Sequence, residues 1–83
     1  MFLPASELNL TNIGQQFALG IAAIEAGQTA IEFSQTTSID SSAVACLLAW
    51  KRYAKQQGAQ LEFRQLPSNL EHLVALYGVR EFL

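Results

Sequence analysis

The side chains best suited to acid–base, nucleophilic or metal chemistry are few in this 83-residue chain: one histidine, one cysteine and seven carboxylates. A nucleophilic centre needs a thiol or hydroxyl beside a base, and a zinc site needs several Cys or His ligands converging. His72 stands alone between Glu71 and Leu73, and reads as a solvated helix histidine. Cys46 lies inside the apolar run from Ala43 to Trp50, where a buried, reduced core thiol is expected and no disulfide can form. Glu25, Glu32, Asp40, Glu62, Glu71 and Glu81 show no paired spacing, and neither common glycine-rich phosphate loop occurs. These residues predict no enzyme, no metal and no cofactor.

What remains is the segment Ser38-Ile39-Asp40-Ser41-Ser42-Ala43, where three oxygen-bearing side chains open the most apolar stretch of the chain. Asp40 or Ser41 can cap a helix there by accepting from its unpaired N–H groups. The same helix start also favours negative charge, so a phosphoryl group on Ser41 or Ser42 would sit in an attractive field. Both readings stand at this point.

The bulk composition narrows the partners. With 51% hydrophobic and 14% charged residues, the chain is too apolar for disorder, and some of its surface is expected to be covered. A net charge of −2 argues against nucleic acid. Three of the five basic residues, Lys51, Arg52 and Lys55, cluster within about a turn and a half of helix. They serve either the helix C-terminal dipole or a docking patch. No signal-peptide pattern and no run of about 20 apolar residues occurs, so a cytoplasmic protein without membrane insertion is expected.

The periodicities place these residues on elements. Leu8-Asn9-Leu10 alternates as a strand, and Asn12 with Gln15 has the spacing of a capping box. Ile13, Phe17, Ile21 and Ile24 form one helical stripe running to Glu25 or Ala26 and stopped by Gly27. Thr29 to Ser34 alternates as a strand, and a polar connection, residues 35–38, follows. A second helix runs from Ser41 to Gln56 or Gln57, ended by Gly58. Gln60 to Gln65 alternates again, and Pro67-Ser68 opens a third helix with Leu70, Leu73, Val74 and Tyr77 on one face. Gly78 closes it, leaving a short tail. The alternation predicts one α/β domain with a small, mostly parallel sheet. Glu32, Glu62 and Arg64 at alternate strand positions predict helices on one face only, because unpaired buried charge is costly.

Ile31-Glu-Phe-Ser34 followed by Ile39-Asp-Ser-Ser-Ala43 resembles the strand, loop and Asp-Ser-Ser helix opening of STAS domains, named for sulfate transporters and anti-sigma factor antagonists. The resemblance covers nearly the whole chain. Ala59-Gln-Leu-Glu-Phe63, Leu66-Pro-Ser-Asn-Leu70 and Leu76-Tyr-Gly-Val79 further resemble MlaB-like members. These are accessory subunits of the ABC transporter that maintains outer-membrane lipid asymmetry. The resemblance implies a non-enzymatic protein that binds the ATPase subunit at the inner face of the inner membrane. Asp40, Ser41 and Ser42 would then be contact residues. Trp50 and Tyr53, near the end of the second helix, are read either as aromatic anchors of that contact or as core packing. In the anti-sigma factor antagonists the serine matching Ser42 is phosphorylated, which implies the alternative of a phospho-switch with an anti-sigma factor or serine kinase as partner.

Two departures carry expectations of their own. Ala43 replaces the glycine usual in the family, a change that helices favour and that reshapes the surface beside Ser42. Only ten residues precede the first predicted helix, whereas the family usually begins with an extra strand, so that strand is expected to be missing or to lie upstream. Its absence would bare a sheet edge, and a homodimer is expected from that edge.

Overall fold

The computed structural model describes residues Met1–Leu83, folded as β1 (Glu7–Leu8), α1 (Ile13–Glu25), β2 (Ala30–Glu32), β3 (Ser38–Ile39), α2 (Ser41–Gln56), β4 (Glu62–Arg64) and α3 (Ser68–Leu76), with a 3-10 turn at Arg80–Phe82. It is an α/β fold with short parallel strands. β2 pairs with β4 in the register Ala30 to Glu62, Ile31 to Phe63 and Glu32 to Arg64, and β1 pairs with β3 through Glu7 to Ser38 and Leu8 to Ile39.

The two pairs are joined through the N-terminal segment. Phe2 bridges Ile31 in parallel, and the Glu32 N–H donates to the Phe2 carbonyl at 3.0 Å. Residues 30–39 thus run as one interrupted lane between the N-terminal segment and β4. The partner offset grows from 29 residues at Phe2–Ile31 to 31 at Glu7–Ser38, so two extra residues are accommodated in the lane between β2 and β3. Side chains tie this bulge down. Gln35 donates to the Pro4 carbonyl at 2.7 Å, and the buried Thr36 donates its hydroxyl proton to Ala5 O at 2.9 Å. The stretch 35–38 read as a polar connection therefore contains the start of a strand. Its polar side chains satisfy backbone groups of the neighbouring segment.

All three helices pack on the face that presents Ile31, Phe33, Leu61 and Phe63, while Glu32, Glu62 and Arg64 lie on the other, as the alternate charges predict. Glu62 and Arg64 pair there at 3.1 Å. The helix α2 lies centrally, in contact with both α1 and α3. It buries Ala43, Val44, Cys46, Leu47, Trp50 and Ala54. Its end at Gly58 follows from backbone geometry: φ is +68°, the Gly58 N–H donates to Lys55 O at 3.1 Å, and the Ala59 N–H to Ala54 O at 2.9 Å. That pair of bonds closes the last turn and needs a residue at ease with positive φ.

Three local expectations are corrected. Asn12 makes no side-chain cap on α1: its amide donates to Glu7 O at 2.7 Å, and its Oδ1 accepts from the Asn9 N–H at 3.0 Å. It fastens the turn before the helix. The deepest line of α1 runs through Gln16, Gly20 and Ala23 beside Ile24, so the Ile13–Phe17–Ile21 stripe is only partly buried. Tyr77 is half exposed beyond the end of α3, and the tail packs Val79 and Leu83 against the core instead.

Candidate protein-docking site

Asp40 follows β3 directly and is the N-cap of α2, in extended backbone geometry. Its Oδ1 accepts from the Ser42 N–H at 2.8 Å and from the Ser42 hydroxyl. Its Oδ2 accepts from the Leu10 N–H at 3.2 Å, and its own N–H donates to Leu8 O at 3.1 Å. One carboxylate therefore fastens the turn after β1 to the start of α2. These bonds favour the charged form: the Ser42 hydroxyl first, then the Ser42 and Leu10 amides, hold the carboxyl below its ordinary range despite some desolvation.

The surface built on this anchor is small and mixed. Ser41 is exposed and its hydroxyl makes no hydrogen bond within the chain, whereas Ser42 is half-buried with its hydroxyl committed to Asp40. Beside them stands Leu10, 80% exposed at the tip of the Asn9–Asn12 turn. Sequence periodicity assigned Leu10 to a strand and missed it as a surface residue. The available signal was its place in Leu-Asn-Leu-Thr-Asn, where asparagines favour a turn. An exposed leucine beside a free hydroxyl at a helix start suits contact with another protein.

The five residues expected at the site do not all meet. Asp40, Ser41 and Ser42 are together. Trp50 has no exposed surface; Phe2, Phe17, Phe33 and Phe63 surround it at ring-centroid distances of 6.0–6.5 Å, and its indole N–H donates to Phe17 O at 3.1 Å. Of its two readings the structure bears out core packing and overturns the contact residue. Tyr53 lies about 20 Å along α2 from Asp40, and its hydroxyl donates to Glu25 Oε2 at 2.7 Å. That bond to a carboxylate raises the phenol's pKa above its ordinary value. Tyr53 thus couples α2 to the end of α1, away from the cap.

The other reactive side chains are dispersed. Cys46 is buried, and desolvation pushes its thiol up to about 12. His72 is exposed on α3, and no three His, Cys, Asp or Glu side chains gather where they could hold a metal ion.

A family model covers most of this chain. Residues 7–83 fit the family model described as Mlab, STAS domain. The chain belongs to this family. No curated protein and no solved structure matches it. Membership in this family supports a protein-interaction domain, and in the Asp40–Ser42 opening and its neighbouring turn Ser41 and Leu10 are the exposed side chains. No helix is long and apolar enough to cross a membrane.

Proposed function

We propose that the chain is a cytoplasmic accessory subunit that binds the ATPase of a Mla-type phospholipid ABC transporter, with the start of α2 and the Leu10 turn as the contact. The observation that carries this reading is the exposure of Ser41 and Leu10 on a rigid base made by Asp40. Docking there requires no rearrangement, because the cap fixes both the helix start and the turn before a partner arrives. The MlaB description of the matching family supplies the partner class.

The phospho-switch reading is the weaker one on this geometry. The Ser42 hydroxyl donates to Asp40, and a phosphoryl group on it would replace that bond with repulsion between two anions. Reconstitution tests the proposal. The purified chain, mixed with the ATPase subunit of its host's phospholipid ABC transporter, is expected to co-elute on size exclusion and to raise ATP hydrolysis. Separate elution with unchanged hydrolysis contradicts it.

A further inference from the structure

A second surface lies about 20 Å from the cap, at the other end of α2. There the helix, the loop before β4 and the C-terminal turn enclose an open groove of about 850 Å³. Leu48, Ala59, Val79 and Leu83 supply apolar lining, and Phe82, 62% exposed, stands at the rim. Lys51, Arg52 and Lys55 flank it, against a single lining acidic side chain, Glu81. A chain of net charge −2 thus concentrates three of its five basic residues on one groove.

We propose that this groove receives an acidic, amphipathic peptide segment of a partner protein. The cations are arranged for it. Lys51 is held in place, its ammonium donating to Leu61 O and lying 5.5 Å from the Phe63 ring centroid. The chain's ion pairs are Glu62–Arg64 and Glu71–Arg80, which leaves Arg52 and Lys55 unpaired and exposed. Their i, i+3 spacing puts them on one side of the helix along the groove. The dipole of α2 accounts for a cation in its last turn, but neither for the concavity nor for the exposed Phe82 beside it. Carboxylates on the peptide meet the cations while its apolar residues enter the groove. A bilayer fits less well, because the surface is concave and its three cations fall short of the roughly four to eight of lipid-binding basic clusters.

Synthetic 12-residue peptides with Leu or Phe at i and i+4 among Glu and Asp, and matched peptides with Lys in place of the acids, test this by fluorescence anisotropy. The acidic set is expected to bind, less tightly as salt rises, and the Lys set not to bind. The double variant Arg52→Glu, Lys55→Glu is expected to weaken binding by roughly 10-fold or more. Phe82→Ser, at an exposed site, is expected to weaken it as well, with far-UV circular dichroism confirming that each variant is folded. Ser41→Arg should leave peptide binding unchanged, which separates this groove from the ATPase-docking surface. No binding of the acidic set, equal binding of the Lys set, or indifference to the charge reversal overturns the proposal. Flotation with phosphatidylglycerol vesicles in the absence of peptide binding overturns it in favour of a membrane surface.

Discussion

Trp50 of α2 lies directly on Gly20 of α1. A Cβ built on Gly20 would overlap the five-membered and benzene parts of the indole, and the indole N–H donates to Phe17 O one turn earlier at 3.1 Å. The close approach of the two helices therefore depends on the absence of a side chain at residue 20. The four phenylalanines around the indole come from the N-terminal segment, α1, the β2–β3 lane and β4, so a single tryptophan joins every layer of the domain.

Gly20→Ala tests that contact with two opposing effects. Alanine favours a helix interior over glycine by up to about 1 kcal/mol. The new methyl meets a rigid ring, and overpacking of this kind costs about 1–3 kcal/mol. We expect the clash to win, with a net loss of stability in urea unfolding. Combining it with Trp50→Phe, which leaves room for the methyl, should cost less than the sum of the two single changes.

Asp40 gives the domain a pH-dependent element. Its folded-state pKa is depressed, so its contribution is present above the ordinary value of 3.8 and is lost as pH falls through the lower folded value. Asp40→Asn keeps an acceptor oxygen for the cap and removes only the charge, so it should lower the thermal midpoint slightly at neutral pH. The gap to wild type should close below pH 3.8. Thermal melts of both proteins from neutral pH to about pH 2.5 check this.

Tyr53 and Glu25 form a second titrating pair. The hydrogen bond to the Glu25 carboxylate raises the tyrosine pKa, so its contribution to stability is present below about pH 10 and is lost as pH rises through the higher folded value. In a Tyr77→Phe background only Tyr53 reports in an ultraviolet titration, since the chain has two tyrosines. Its midpoint should lie above 10 and fall when Glu25→Gln is added.

Local chemistry made much of this fold legible. Gly27, Gly58 and Gly78 stop the three helices where periodicity predicts, and each has positive φ. Alternate charges at Glu32, Glu62 and Arg64 correctly assign the face without helices. The missed elements depend on long-range partners. β3 is only Ser38–Ile39, too short for an alternating pattern, and exists because Glu7–Leu8 pairs with it. Trp50 reads from sequence either as core or as an interface anchor, and the glycine 30 residues earlier, against which it packs, settles it as core. The cap at Asp40 was legible as one of two candidates. Its bond to the Leu10 N–H, which shapes the proposed docking surface, spans 30 residues and has no local signature.

The central claim is that the start of α2 docks on an ABC transporter ATPase. Co-purification of the tagged chain from its native host, with wild type beside Ser41→Arg, tests it most directly. Ser41 is exposed and its hydroxyl makes no internal hydrogen bond, so the substitution should leave the fold intact. Recovery of an ABC ATPase with wild type and its loss with Ser41→Arg is the predicted result. Recovery of a kinase or a sigma-regulatory protein, without any ATPase, would contradict the account and establish the phospho-switch in its place.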